Sequence, residues 1–405
     1  MEMVAVKILV TAEEARGLIG QAARQMAPVQ ASLPEAAGCI LAKDIYAGIT
    51  IPAFRQSGMD GFAFLFDGGH WPLRLVGEMA AGSHDSFSLQ PGEAVRIFTG
   101  AAVPTGADTV LVQEKARVED GYLHIEDANL VAGANVRPVG SEVKAGELAL
   151  SEGSLLSPAA IGFLAGIGIT EVEIYPAPRV SIIVTGNELQ TPGHPLEFGQ
   201  VYEANSFALS AALGSLQMEP MAIYRSADDP GQLTEILDNA LVVSDVVLIT
   251  GGVSVGDYDF TEVAFEACGV EKVFHKVKQK PGKPLLFGRK GEKLVFGLPG
   301  NPASVLACFY MYVLGAFSAM SGQRLSLPIM QAPLSVPYKK PEGLTHFFKG
   351  HYDGSVVNLL TGQESYKLNS FAMANCLVEV PAETTELAMG DMVKVHVINN
   401  LAQWM

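Results

Sequence analysis

At 405 residues the chain is too long for one ordinary core, so two to four domains are expected. Hydrophobic residues make up 49% and charged residues 17%, which excludes a disordered scaffold. A formal net charge of -16 excludes general nucleic-acid binding, because phosphates are repelled; a small anion must be met by locally concentrated positive charge.

The N-terminus lacks the charged-then-apolar pattern of a secretory signal, so the cytoplasm is the default expectation. Residues 11 to 27 read as a helix opened by a capping box, Thr11-Ala12-Glu13-Glu14. The stretch "LPEAAGCILAKDI", 33 to 45, reads as a second helix with Pro34 near its start. From about residue 50 to 145, Gly, Pro and Val dominate in short runs such as "LRLVGEM", "AVRIFTG" and "TVLVQE", the texture of a β-rich domain. "LSPAAIGFLAGIGI", 156 to 169, returns to helical texture, so the β-rich piece looks inserted into a helical unit.

After "YPAPRV" the pattern alternates. "RVSIIVT", "MAIYR", "DVVLIT", "KVFHKV" and "KLVFGL" read as strands; "SFALSAALGSL", "PGQLTEILDNALV", "DFTEVAFEACG" and 302 to 320 read as helices. This predicts a doubly wound α/β domain with a mainly parallel sheet, whose ligand site lies beyond the carboxyl ends of its strands. The uncharged segment 302 to 320 is long enough to span a bilayer. Its place at the end of an α/β series, and the absence of basic or aromatic anchors, predict a buried core helix and no membrane contact. Residues 328 to 405 predict a small β-barrel or sandwich.

Four strand ends carry site-like residues: Gly186-Asn187-Glu188, Ser226-Ala227-Asp228-Asp229, the loop after Thr250 with Asp257 and Asp259, and "PGNPAS" from 299 to 304. The glycine-rich turns and the free N–H groups expected at the start of the 302 helix suit a phosphate or another anion. Glu188, Asp228 and Asp259 either hold a divalent cation such as magnesium or cap helices, and capping and binding can coexist. No P-loop and no dinucleotide fingerprint is present. The lysines of "HKVKQKPGKP" stand out in so acidic a chain; Lys280 and Lys283 flank a rigid Pro-Gly turn suited to an oxyanion. The four cysteines form no C-x-x-C pair, and the eight histidines show no H-E-x-x-H, so no protein-held transition metal is expected.

"GVSVG", 252 to 256, matches the G-x-S-x-G nucleophile elbow of α/β-hydrolases. An elbow needs a strand passing straight into a helix. Here the helix is not expected before Asp257, which leaves Ser254 inside a loop, and no upstream oxyanion segment exists.

Seven motifs then occur in order: "SGMDGFA", "RIFTGAAVPTGADTVLVQE", "NVRPVGSEVKAGE", "TGNEL", "TGGVSVGDYD", "KPGKP" and "GLPGNPAS". Together they closely resemble the molybdopterin molybdenumtransferase, or MoeA, family, which is similar to the C-terminal domain of gephyrin. The resemblance implies four domains: an elongated helical one (1–51 and 140–177), an inserted β domain (52–139), an α/β domain of molybdopterin-binding type (178–327) and a C-terminal β-barrel (328–405). It implies a cytoplasmic homodimer that takes adenylylated molybdopterin and molybdate, uses magnesium, inserts molybdenum at the dithiolene sulfurs and releases AMP. Molybdopterin adenylyltransferase and apo-molybdoenzymes are the implied protein partners. Carried over by motif, Glu188, Asp228 and Asp259 fall in the cation and adenylate site. Gly251, Gly252, Ser254, Gly300, Asn301 and Ser304 would line the substrate pocket. Asp60 and Thr99 from the inserted domain, with Glu142 at its boundary, would reach a cleft, and Lys280, Lys283, Lys349 and Ser370 would hold molybdate.

Three departures from the family pattern stand out. Lys349 replaces an arginine, Glu142 replaces an aspartate, and "GQESYKLNSF" replaces a Q-G-S-G pattern, bringing Glu364 near the anion site. They leave open a tungstate preference. Adenylylation of molybdopterin by ATP, and non-catalytic pterin carriage, are the alternative functions.

Overall fold

The computed structural model describes residues 9–69, 72–83, 88–253 and 260–398. The chain folds as two compact units. One comprises Met1–Val29, Gly38–Ile40 and Ile174–Met405; the other comprises Gln30–Ala37 and Leu41–Glu173.

The larger unit is built on a six-stranded sheet. Its order is Pro220–Ser226, Val180–Thr185, Val246–Thr250, Lys293–Leu298, Leu286–Lys290 and Glu271–His275. The first four strands run parallel; Leu286–Lys290 runs antiparallel to them, and Glu271–His275 antiparallel to Leu286–Lys290. Every residue of Val180–Thr185 and Val246–Thr250 is buried, as expected of strands covered on both faces. Alternation sorts their side chains: Ile182 and Leu248 pack with Leu209 and Leu213 on one face. Ile183 and Ile249 pack with Leu233 and Leu237 on the other.

The apolar run predicted at 302 to 320 forms one continuous helical segment, Pro302–Ser321, with a π-helical stretch at Phe309–Val313. It is long and apolar enough to cross a membrane, yet 72% of its most apolar stretch is buried within the fold. Phe309, Tyr312 and Phe317 lie in the main core. The first helix, Ala12–Ala22, has the predicted capping box: Thr11 N donates to Glu14 Oε2 at 2.9 Å and Glu14 N to Thr11 Oγ1 at 3.1 Å.

The C-terminal segment forms a second sheet in the order Gln279–Lys280, Thr345–Tyr352, Cys376–Val380, Met392–Val397 and Ile329–Pro333, with Val357–Leu359 beside Thr345–Tyr352. The lysine-rich segment thus joins this sheet: Gln279 pairs with Thr345 and Lys280 with His346.

The smaller unit holds a six-stranded sheet in the order Thr109–Val112, Gly61–Phe64, Glu93–Ile97, Leu73–Met79, Tyr122–Ile125 and Ala116–Glu119. Ala63, Val95 and Val110 fill one face, and Phe62, Phe64 and Leu111 fill the other. Nearby, Ser157 caps the helix Pro158–Gly166 through Ala160 N at 3.2 Å.

One expectation fails. Residues 33–45 do not form a helix. They form turns followed by the short strands Ile40–Leu41 and Ile45–Tyr46. Gly38 adopts φ +81, a left-handed conformation that ends the turn before a helix propagates.

Candidate active site

The carboxyl ends of the parallel strands open onto a pocket of about 1000 Å³ within the larger unit. Thr185 ends the Val180–Thr185 strand, with Gly186 and Glu188 just beyond it, and Asp228 follows the Pro220–Ser226 strand. Gly251 and Gly252 follow Val246–Thr250, and Gly300, Asn301 and Ser304 follow Lys293–Leu298. Lys280 and Lys283 face the same space. Strand ends separated widely in sequence are thereby brought to one cavity, as a doubly wound sheet requires.

Neither described acid of the proposed trio caps a helix. The cap of the Pro230–Val243 helix is Asp229, which accepts from Gln232 N at 2.7 Å. Its neighbour Asp228 instead exchanges bonds with Asn187. Asn187 N donates to Asp228 Oδ2, and Asp228 N donates to Asn187 Oδ1, both at 3.2 Å. Glu188 precedes the short strand Leu189–Gln190 and lies over Gly186, where an added Cβ would come within 2.8 Å of Glu188 Oε2. Asp259 and Ser254, with Asp257, lie outside the described residues. The strand before the G-x-S-x-G match ends at Thr250, and Ser254, the serine of that match, is among those outside the described residues.

Glycine is required where the backbone turns into the pocket. Gly251 has φ +86, and a Cβ there would lie 2.6 Å from Thr185 Oγ1 and 2.7 Å from the Thr185 carbonyl oxygen. The Lys280–Pro284 turn is held from beneath by Gln279, which is 1% exposed. Gln279 Nε2 donates to the Pro281 carbonyl at 3.0 Å and the Gly282 carbonyl at 3.2 Å, and Gln279 Oε1 accepts from Tyr312 Oη. Both lysines are therefore mounted on a fixed turn.

The start of the Pro302 helix differs from expectation. Its first-turn amides are not free. Ala303 N donates to the Ser365 carbonyl at 3.2 Å, and Ser304 N donates to the Asn301 carbonyl at 3.0 Å. Asn301 Nδ2 also holds Ser365 Oγ at 2.9 Å. A C-terminal segment occupies the place where an anion was expected, and it adds Gln363, Ser365 and Tyr366 to the pocket lining.

Lys349 and Ser370 do not line the pocket. Lys349 is 3% exposed and donates to three carbonyl oxygens. Ser370 Oγ donates to the Thr361 carbonyl at 2.6 Å. Asp60, Thr99 and Glu142 are exposed residues of the smaller unit. Asp60 Oδ1 accepts from both Thr99 N and Thr99 Oγ1 at 2.8 Å, and these bonds hold its carboxyl below the ordinary value.

The residue reading missed Asn205. It is 8% exposed, lines the pocket and donates through Nδ2 to the Gly300 carbonyl at 2.9 Å. Its Oδ1 is buried with no partner among the described residues. Tyr202 and Tyr366, 46% and 62% exposed, add aromatic surface to the lining. Only Asn205 had a sequence signal, a polar residue opening an otherwise apolar helix.

Two carboxylates on one wall fit magnesium, which is typically held by one or two carboxylates plus substrate phosphates. Among the described residues no group of three or more His, Cys, Asp or Glu is placed to hold a metal by itself.

Comparison with known proteins covers nearly the whole chain. Residues 10–168 match the family described as MoeA N-terminal region (domain I and II). Residues 181–319 match a probable molybdopterin binding domain, and 331–398 match the MoeA C-terminal region (domain IV). A molybdopterin molybdenumtransferase of Haemophilus influenzae is 33% identical over 91% of this chain and 94% of its own length. Molybdopterin molybdenumtransferase 2 of Mycobacterium tuberculosis is 33% identical over 95% of this chain and 98% of its own. The crystal structure of the molybdopterin biosynthesis MoeA protein of Pyrococcus horikoshii superposes with a TM-score of 0.81 at 28% identity, covering 97% of this chain and 100% of that one. Identity at this level, sustained from end to end, places the chain in the molybdopterin molybdenumtransferase (MoeA) family.

Proposed function

We propose that this protein inserts molybdenum from molybdate into adenylylated molybdopterin and releases AMP, with magnesium, as a cytoplasmic homodimer. One observation carries the reading: a single pocket sets the carboxylates Glu188 and Asp228 and the lysines Lys280 and Lys283 around a glycine-lined floor. That division suits a substrate with two anionic ends. Magnesium, when bound, supplies Lewis-acid stabilisation of charge on the phosphoanhydride; Glu188, Asp228 and Asp259 are the residues proposed to hold it. Glycine backbone at Gly251, Gly252 and Gly300 lets the substrate approach closely, with Ser254, Asn301 and Ser304 as neighbouring contacts. Lys280 and Lys283 offer six N–H donors to the oxyanion between them.

The atoms balance. The two thiol hydrogens of the dithiolene leave with one molybdate oxygen as water, and both sulfurs bond molybdenum. One water is consumed as the phosphoanhydride opens, leaving the pterin phosphate and AMP. The chain's own task is to hold the two anions side by side, which is worth many-fold in rate through orientation alone.

The test is AMP release from adenylylated molybdopterin with magnesium, run in parallel with molybdate and tungstate, and with Glu188→Gln and Asp228→Asn. AMP release that needs the oxyanion, and that falls at least tenfold in both variants, supports the reading. No AMP above background sinks it. ATP consumption without molybdate would instead mark the adenylylating step, and tight binding without turnover a carrier.

A further inference from the structure

Lys349 lies in the strand Thr345–Tyr352 and is almost fully buried. An ammonium has three N–H donors. Three carbonyl oxygens converge on this one: Gly362 at 2.6 Å, Lys367 at 3.1 Å and Glu364 at 3.2 Å. All three belong to the segment 360–367. The same segment is tied to the backbone of Lys349. Lys349 N donates to Gln363 Oε1 at 3.0 Å, and Gln363 Nε2 donates to the Lys349 carbonyl at 2.9 Å. Ser370 Oγ adds a tie to Thr361. The pocket-facing side of the segment presents Gln363, Ser365 and Tyr366, and Ser365 holds both Asn301 and the Ala303 amide.

We infer that Lys349 is a positioning residue: its ammonium fastens the segment 360–367 as a wall of the pocket and does not itself bind the oxyanion. Three carbonyls converging on one point suit a tetrahedral ammonium. A planar guanidinium fork presents its donors side by side and would match this geometry less well. The kinetic part of the inference rests on the molybdenum-insertion reading; the structural part does not.

The test compares Lys349→Met, which removes the donors and the charge, with Lys349→Gln, which removes the charge but keeps two donors. Amide hydrogen exchange over 360–367 is measured on ligand-free protein. AMP release then yields KM for molybdate and kcat at two ionic strengths. For Lys349→Met, exchange over 360–367 is expected to speed about tenfold, and KM to rise about tenfold with kcat within about threefold. Lys349→Gln is expected to stay within about threefold of the native KM. The salt dependence of KM stays as in the native protein for both, because no charge on the oxyanion is lost. Equal impairment of both variants, with native exchange rates and a flattened salt dependence, would overturn the inference and put Lys349 on the oxyanion. If Lys349→Met does not fold, Ser370→Ala replaces it: faster exchange over 360–367 supports the fastening, and unchanged exchange overturns it. If the native chain releases no AMP, the functional reading fails, while the exchange comparison still decides whether Lys349 fastens the wall.

Discussion

Asn301 Nδ2 and Ser365 Oγ lie 2.9 Å apart, a hydrogen bond spanning 64 residues of sequence that closes one side of the pocket. Asn301 makes no side-chain cap bond to its own helix. Asn301→Ala should therefore cost less than about 1 kcal/mol in stability, read by urea unfolding, because only one exposed bond is lost. KM for the pterin substrate should rise several-fold, since the Ser365 side chain loses its anchor while its carbonyl stays on the Ala303 amide. A large stability loss with unchanged KM would show that the contact serves the fold alone.

Two pocket glycines should respond differently to a methyl group. Gly251 sits at φ +86 against Thr185, so Gly251→Ala should destabilise by about 1–3 kcal/mol. At Gly300 the nearest heavy atom to an added Cβ is Gly251 Cα at 3.8 Å. Gly300→Ala should fold within about 0.5 kcal/mol of native and weaken substrate binding instead. Denaturant midpoints and KM values, measured together, separate the two.

Glu379 is a partly buried anion ringed by cations. It meets His396 Nε2 at 2.7 Å, Arg16 at 2.9 Å and Lys394 at 3.0 Å. Burial raises its carboxyl, but the His396 bond and the Arg16 and Lys394 charges outweigh burial and hold it well below the carboxylate range. A depressed carboxyl stabilises the fold fully above its unfolded value, near pH 4.3, and loses that contribution as pH falls. Glu379→Gln should cost about 1–3 kcal/mol at pH 7, because two of its three partners are partly screened by solvent. The gap between native and variant should narrow as pH drops below about 4.

His346 shifts in the same direction for a different reason, since its charged form is the one disfavoured. Burial, then the charges of Lys340 and Lys280, lower its pKa from 6.5 to about 4. The unfolded chain therefore binds more protons between those values, so stability falls as pH drops from 6.5 towards 4. His346→Gln should flatten that part of the stability profile. In the native protein the His346 ring should titrate near pH 4 by NMR; titration near 6.5 would refute the prediction.

The alternating α/β region was legible because strands covered on both faces read as unbroken apolar runs, as in "SIIVT" and "VVLIT". Once that alternation is read, the sheet rule sends Glu188, Asp228, Gly251 and Gly300 to one cavity, and they line it. The 33–45 segment was misread because its apolar spacing suits a helix, while Gly38 at positive φ overrides spacing. The amides of the Pro302 helix were misread as free because their partner, Ser365, comes from a distant strand connection that no local pattern reveals.

By itself the sequence determined the order of elements, the burial of the Pro302–Ser321 helix and the placing of acids and glycines at strand ends. These follow from periodicity and backbone sterics, which are local. Tertiary structure alone decided which polar groups are already satisfied. Lys349 reads as a cation free for an oxyanion until three carbonyls are found around it. Whether a buried donor is free or engaged depends on register between segments far apart in the chain, and a hydrogen bond tolerates only a few tenths of an ångström in that register.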